Sequence, residues 1–239
     1  MLAKYVSYAA ALSALSMVAG QSASAAVITV NSNASDAFMF NTDVGGTDSG
    51  DLHVGRVFGQ ARLALFAFQL PSIPGEVVTN ATLSVYLNEK SGDTTLFNVD
   101  LYAVRQSSTS PDMVSTDWGW GTTAGGTSIQ DNYFTSGTSA DGYVPTSAGG
   151  NAALLNFVNT GYTPGNYLIF RLNPDSPEYA NIGDLANGTF YRTASSEWGG
   201  AGARVAQLEL TTAVIPEPAT VFVLAGVAGV LGLSRRRQV

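Results

Sequence analysis

The sequence predicts an all-β fold, an antiparallel β-sandwich, on two observations. Short runs of alternating apolar and polar side chains recur along the 239-residue chain, separated by clusters of Gly, Ser, Thr, Asn and Asp. Between the two ends of the chain, no long stretch repeats with helical period. A period of two is typical of half-buried strands, and short strands with frequent turn signals favour a sandwich of jelly-roll type.

Two runs show this alternation most clearly, and a third differs from them. In 80–87 small or apolar residues occupy every second position, and in 204–211 apolar residues alternate with Gln207 and Glu209. Residues 63–68 are apolar on both faces, which predicts a central strand covered on both sides. We predict further strands at 28–30, 37–40, 52–57, 97–104, 154–158, 167–172 and 189–193.

Residues 107–150 are rich in Gly, Ser and Thr and carry only weak strand signal. The segment also contains the aromatic residues Trp118, Trp120, Tyr133, Phe134 and Tyr143. Disordered segments are poor in aromatic residues, and long ordered loops usually have a function. We therefore predict an ordered, functional loop.

Residues 1–25 have the order of a secretory signal peptide. Lys4 supplies a basic start, residues 9–19 are apolar or small, and Ala23-Ser24-Ala25 is a small-residue cleavage site. We therefore predict cleavage after Ala25 and export of the rest of the chain. The short apolar stretch argues against the alternative, an uncleaved N-terminal anchor.

The segment 215–239 has three parts in a fixed order. They are Pro216, Glu217 and Pro218, an uncharged apolar run at 219–233, and the basic residues Arg235, Arg236 and Arg237. A helix over the apolar run is about 22 Å long, against a hydrocarbon core of about 30 Å. Snorkelling arginines and local thinning can close that gap, so we predict a single transmembrane helix with its basic end in the cytoplasm. The alternative is a buried C-terminal helix of the folded domain.

This order of motif, apolar run and basic cluster resembles the PEP-CTERM sorting signal of Gram-negative bacteria. In proteins with that signal a membrane transpeptidase, exosortase, recognises the tail and processes the protein for export. The resemblance implies exosortase as a transient partner and a C-terminal helix in the cytoplasmic membrane before processing. It also implies a mature form at the cell surface or in the extracellular matrix.

Between these ends, residues 26–214 have the size of one domain. The chain has 11 basic and 18 acidic residues, and removing Lys4, Glu217 and the three terminal arginines leaves 7 against 17, a net charge of −10. An acidic domain argues against nucleic acid as a partner. The chain has no cysteine, which excludes disulfides, thiolate catalysis and zinc–thiolate sites.

The residues give no catalytic constellation. His53 is the single histidine and lies in a predicted strand, and no serine stands in a Gly-x-Ser-x-Gly turn. Carboxylates are plentiful enough for a glycosidase, but the sequence singles out no facing pair. We therefore expect a protein that is not an enzyme.

A metal ion is the more credible small ligand. The glycine-rich segment 41–51 carries Asp43, Asp48 and Asp51, and calcium binds hard carboxylate and carbonyl oxygens of this kind. A structural calcium ion is therefore a hypothesis. Its alternative is a solvated turn in which Asp and Gly serve the turn geometry.

Trp118 and Trp120 flank a glycine within the predicted loop. Flat aromatic faces beside a few polar groups suit a sugar ring, so the pair is a candidate carbohydrate platform. Equally, the two side chains could plug the open end of a sandwich core.

Several segments resemble the DNRLRE-type modules, which are extracellular β-jelly-rolls. Two features of the match are an arginine ahead of an apolar strand and a Ser-Ser-Glu element ahead of the last strand. The matching segments are 35–38, 52–55, 62–70, 81–87 and 195–197. Some of these modules bind acidic polysaccharides such as alginate, so the resemblance implies Arg62 and Arg192 as contacts for an acidic sugar. Gln69 stands where that family has an aspartate.

Together these observations predict an exported, non-catalytic surface or matrix protein whose β-sandwich binds exopolysaccharide. One alternative is a structural or adhesive surface protein that makes protein contacts. A polysaccharide lyase or hydrolase is a third hypothesis, because carboxylates alone can support such chemistry.

Overall fold

The computed structural model describes residues 25–40, 43–44, 50–57, 59–95, 97–119, 125–175, 188–196 and 204–215. Over this part of the chain the backbone forms one 12-stranded sheet, one α-helix and a short 3₁₀ turn. The elements are β1 (Ala26–Asn31), β2 (Ala37–Phe40), β3 (Asp43–Val44), β4 (Asp51–Val57), β5 (Gln60–Gln69), β6 (Glu76–Ser91), β7 (Val99–Ser108), the 3₁₀ turn (Ser115–Asp117), β8 (Thr127–Phe134), β9 (Gly142–Pro145), α1 (Ala148–Thr160), β10 (Tyr167–Pro174), β11 (Thr189–Ala194) and β12 (Gln207–Val214).

The strands follow the order β1-β12-β6-β11-β4-β5-β10-β7-β8, with β9 added to β6 and β2 to β5. The pairs β4–β5, β5–β10, β10–β7, β7–β8, β11–β4, β11–β6 and β6–β9 are antiparallel. The predicted antiparallel β fold is therefore confirmed. Its jelly-roll connectivity stays a prediction.

The main core lies between facing parts of this sheet. Phe66 and Phe68 of β5 and Phe170 of β10 share one buried cluster with Leu83 of β6 and Leu208 of β12. Because β11 and β4 separate β6 from β5 in the strand order, the sheet must fold over to bring these side chains together. Each such side chain contributes about 1.5–3 kcal/mol through burial. This arrangement is consistent with the predicted sandwich.

A second cluster covers the other face of β5. Leu63, Leu65 and Ala67 point into it, opposite in direction to the core residues that alternate with them. Met113 packs there from the segment after β7, and Trp118 is a partly buried neighbour. The prediction that 63–68 is covered on both sides is confirmed.

A buried arginine helps to hold the covering segment in place. The Arg171 guanidinium donates to the carbonyl oxygens of Asp117 at 2.6 Å and Gly125 at 3.0 Å, and to Asn173 Oδ1 at 3.2 Å. Burial lowers the pKa of Arg171 to about 10. The buried Asp117 carboxylate pairs with Arg105, with Nε–Oδ1 at 2.7 Å and Nη2–Oδ2 at 2.8 Å. These bonds satisfy charges that would otherwise be costly to bury.

Helix α1 corrects the strand predicted at 154–158. Ser147 caps the helix, its Oγ accepting from the Gly150 backbone N–H at 3.2 Å, and Leu154 and Val158 form the buried face. Residues four apart share one side of a helix, so the same apolar residues serve a helix once the cap begins it. A short apolar run does not separate the two possibilities.

The segment 107–150 is also not a loop throughout. It contains β8 and β9, and Tyr133 and Phe134 of β8 lie in the main core. The Tyr133 hydroxyl donates to the Val144 carbonyl of β9. Polar residues interrupt β8, and its pairing with β7 shifts register, which removes the regular alternation that would have revealed it.

A buried carboxylate joins three parts of the fold. Asp36, 2% exposed, accepts from Ser32 Oγ at 2.5 Å, from the Ser196 backbone N–H at 3.1 Å and from the Ala67 backbone N–H at 3.2 Å. Burial raises the pKa of Asp36 to about 7, and these hydrogen bonds oppose the rise. The turn after β1, strand β5 and the end of β11 therefore meet at one titratable group.

Among the described residues, Gly75–Val77, residues 25–26 and residues 213–215 belong to a small compact unit of their own. Within it the Ile215 backbone N–H donates to the Gly75 carbonyl at 2.9 Å. In the part of the chain that the structure describes, no helix has the length and apolar character needed to cross a membrane. The helix predicted at 219–233, the motif before it, the arginines after it and residues 1–24 lie outside that part.

Candidate functional site

Two tyrosines stand side by side on the outer surface of β6 and β9. Tyr86 lies directly opposite Tyr143 in the antiparallel pair, and their rings meet edge to face with centroids 5.0 Å apart. Val85 and Leu87 point into the core, so Tyr86 between them points outward. Tyr143 is 39% exposed.

A charged pair frames these rings. Arg204 Cζ lies 4.8 Å from the centroid of the Tyr86 ring, and its Nη1 is 3.5 Å from Asp141 Oδ1. The Tyr86 hydroxyl donates to the same carboxylate oxygen at 2.8 Å, and this bond raises the pKa of Tyr86. The Tyr143 hydroxyl donates to the Val205 carbonyl at 3.2 Å. We call Tyr86, Tyr143, Arg204 and Asp141 the tyrosine face.

A polar group centred on Arg192, which we call the arginine cluster, lies further along the same outer surface. Arg192 of β11 bridges Asp51 of β4, Nη1–Oδ2 3.3 Å, and Glu89 of β6, Nη2–Oε2 2.7 Å. Asn88 Nδ2 donates to Asp51 Oδ1 at 3.1 Å. Leu87, opposite the buried Thr193, lies in the core, while Glu89, opposite Arg192, is exposed, because the pairing of β6 with β11 shifts register between them. Glu89 therefore lies on the outer side of β6, as Tyr86 does. The tyrosine face and this cluster therefore share one surface.

This surface combines flat apolar area with placed polar groups. The Tyr143 ring supplies exposed stacking area, the Arg204 guanidinium lies over the Tyr86 ring, and the Asp141 carboxylate accepts from the Tyr86 hydroxyl. That combination is typical of sites that bind hydroxyl-rich ligands. Arg192 and Arg204 are both paired with carboxylates, so neither is held ready for an anion.

The residues predicted to contact sugar occupy different places. Trp118 is half-buried against the second cluster. Arg62 Cζ lies 4.4 Å from the centroid of Phe38, a residue of the main core, and Arg192 lies in the arginine cluster. Trp120 lies outside the described residues. The structure does not group Trp118 with Arg62 or Arg192, and a sugar contact at any of them stays a prediction.

The three carboxylates predicted to bind calcium are described only in part. Asp51 pairs with Arg192 and Asn88, and Asp43 belongs to β3. Asp48 lies outside the described residues. Across the residues that the structure does describe, no three His, Asp or Glu side chains converge as a metal-binding group. Calcium binding stays a hypothesis.

The tyrosine face was missed in the sequence, although one of its members carried a signal. Tyr86 is an aromatic residue at a polar, outward position of the predicted strand 80–87. Its partner Tyr143 lies in β9, in a segment that the sequence predicted as a loop. The pairing of two residues so distant in sequence depends on strand register, which local patterns do not supply.

Comparison with known proteins decides the nature of the tail. Residues 214–238 match the PEP-CTERM protein-sorting motif. The matched range contains Pro216, Glu217, Pro218 and the three arginines, so the predicted sorting motif is confirmed. The PEP-CTERM match supports an exosortase substrate that is exported and sorted to the surface. No curated protein matches the chain.

Proposed function

We propose that this protein is an exported, non-catalytic component of the cell surface or extracellular matrix, sorted by an exosortase, whose β-domain binds exopolysaccharide through the tyrosine face. The observation that carries the binding proposal is the Tyr86–Tyr143 pair, with Arg204 and Asp141 at its edge. The PEP-CTERM match supports the sorting.

The tail acts before the domain does. Residues 219–233 enter the cytoplasmic membrane as a helix, with Arg235, Arg236 and Arg237 on the cytoplasmic side. Pro216 and Pro218 cannot continue that helix outward, so the motif stays extended and open to the processing enzyme. Exosortase then releases the domain to the surface or matrix.

The β-domain recognises sugar by stacking and by hydrogen bonds. The exposed part of the Tyr143 ring offers apolar area to the C–H groups of a sugar, and the neighbouring Tyr86 ring extends that area. Arg204 and Asp141 supply donors and acceptors for neighbouring hydroxyls. Because this pair is already neutralised, and the domain is acidic overall, a hydroxyl-rich neutral sugar suits the surface better than an acidic one.

Affinity electrophoresis of the exported protein tests this function. The gels contain neutral glycans (hydroxyethyl cellulose, xyloglucan, dextran) or acidic ones (alginate, polygalacturonate). We expect retention by a neutral glycan, weakened about fivefold in Kd by Tyr143→Ala, since a stacking contact contributes about 1 kcal/mol.

Tyr143→Phe is the matched control, because it keeps the ring and removes only the hydroxyl that bonds Val205. Its retention should stay near that of the unmodified protein. Retention by no glycan of either class, with protein partners enriched in a pull-down, would instead favour an adhesive protein. Release of sugar products would contradict the non-catalytic assignment.

A further inference from the structure

Strand pairing and a backbone hydrogen bond hold the chain up to Ile215, the residue before Pro216, Glu217 and Pro218. Strand β12 ends at Val214, and the next residue, Ile215, donates its backbone N–H to the Gly75 carbonyl at 2.9 Å. Pro216 follows directly. No free linker therefore separates this paired segment from the motif.

The distance from there to the membrane is short. Ile215 and Ala219, the first residue of the apolar run, are four Cα steps apart, which span at most about 14 Å. The headgroup layer on one side of a bilayer is about 5–8 Å thick. A helix over 219–233 is also about 8 Å shorter than the hydrocarbon core, which draws its flanking residues inward. Ile215 must therefore lie within about 6–9 Å of the headgroup layer, and closer where the short helix draws its flank inward.

Apolar side chains are exposed at this position. Val77 is 44% exposed, Val214 47% and Ile215 49%, and all three belong to the same small unit. Half-exposed apolar residues are unremarkable singly, but these three stand where the chain enters the bilayer. Within Gly75–Val77 and the last described residues from Ala213, the one charged side chain is that of Glu76.

We propose that Val77, Val214 and Ile215 form an apolar rim that inserts into the outer headgroup layer of the bilayer holding the tail. The inference rests on the proposed membrane insertion of 219–233. The rim fixes the domain against the membrane and places Pro216, Glu217 and Pro218 at headgroup depth, where a membrane transpeptidase can reach them. Since the rim has no basic residue, its docking depends on apolar contact and not on anionic lipid.

Single-cysteine labelling tests the rim, because the chain has no cysteine of its own. The exported but unprocessed chain carrying Val77→Cys, labelled with a polarity-sensitive dye, is reconstituted into phosphatidylcholine vesicles with a headgroup-linked quencher. We expect a blue shift and loss of most of the emission. Ser139→Cys is the control, because Ser139 is exposed and lies just before β9. Two residues further on, the Asp141 backbone N–H donates to the carbonyl of Leu87, which lies toward the opposite end of β6 from Val77. Its emission should stay unchanged.

A flexible spacer of about ten Gly and Ser residues between Ile215 and Pro216 distinguishes docking of the rim from attachment through the tail helix alone. The spacer variant should still float with vesicles, but quenching at position 77 should fall toward the control. Floating chain whose Val77→Cys and Ser139→Cys labels behave alike would overturn the rim and leave the proposed function intact. Quenching that requires phosphatidylglycerol would also overturn it. Failure of the unmodified chain to float would contradict both the rim and the proposed tail insertion.

Discussion

Asp36 is expected to make the stability of the domain fall as pH rises. Its carboxyl is 2% exposed, and burial raises its pKa from 3.8 to about 7 against opposing hydrogen bonds from Ser32, Ala67 and Ser196. Between these two values the folded domain holds a proton at Asp36 that the unfolded chain has lost. The stabilisation is therefore full below about pH 4 and disappears as pH passes about 7.

The size of the effect follows from the shift. A displacement of about three pKa units corresponds to on the order of 4 kcal/mol, since each unit is 1.36 kcal/mol. At the middle of the window the slope approaches about 1.4 kcal/mol per pH unit. That is a large part of the 5–15 kcal/mol typical of a folded domain.

Urea denaturation of residues 26–215 at several pH values between 4.5 and 8 measures this slope. Asp36→Asn cannot titrate, and it keeps an oxygen that can accept from the Ala67 N–H. Asp100, whose pKa burial also raises, contributes equally to both proteins, so their difference isolates Asp36. The stability difference should shrink by several kcal/mol as pH rises. Parallel curves for the two proteins, or a difference that grows with pH, would refute the reasoning.

Two further changes test the packing. Arg171→Met leaves the buried Asp117 carbonyl and Asn173 Oδ1 without their donor and should cost about 2–5 kcal/mol in urea denaturation. The comparison variant Arg105→Met leaves the buried Asp117 carboxylate without its cation and should cost about 3–5 kcal/mol. A loss below about 1 kcal/mol for either variant would contradict the role given to that arginine. Ser147→Ala removes the cap of α1 and should lower stability by about 1 kcal/mol in thermal unfolding, while Ser147→Gly should lose only a few tenths. An Ala variant as stable as the unmodified protein would show that the cap contributes nothing.

The sequence predicted most of the sheet because strand periodicity is a local property. Residues 63–68, apolar on both faces, proved to be a strand with a cluster on each side. Alternation in 80–87 likewise put Tyr86 on the outer surface, where the structure has it. Such patterns show which face of a strand is buried, so they predict the strand without knowledge of the strands that pair with it.

What the sequence did not predict depends on partners distant along the chain. Arg171 is a charge in an apolar strand, and only the structure shows that Asp117 and Gly125 satisfy it. Tyr143 joins Tyr86 through a β9 register that no local pattern encodes. The strand predicted at 154–158 is part of helix α1, because a short apolar run suits either element and the helix-start signal at Ser147 was overlooked.

Mass spectrometry of the exported protein tests the central claim, that an exosortase sorts this chain through its tail. The account predicts a mature form that begins at Ala26 and has lost 219–239 or nearby residues. It also predicts that replacing Pro216, Glu217 and Pro218 by alanine leaves the tail in place. An extracellular form that retains an intact C-terminus through Val239 would contradict the account.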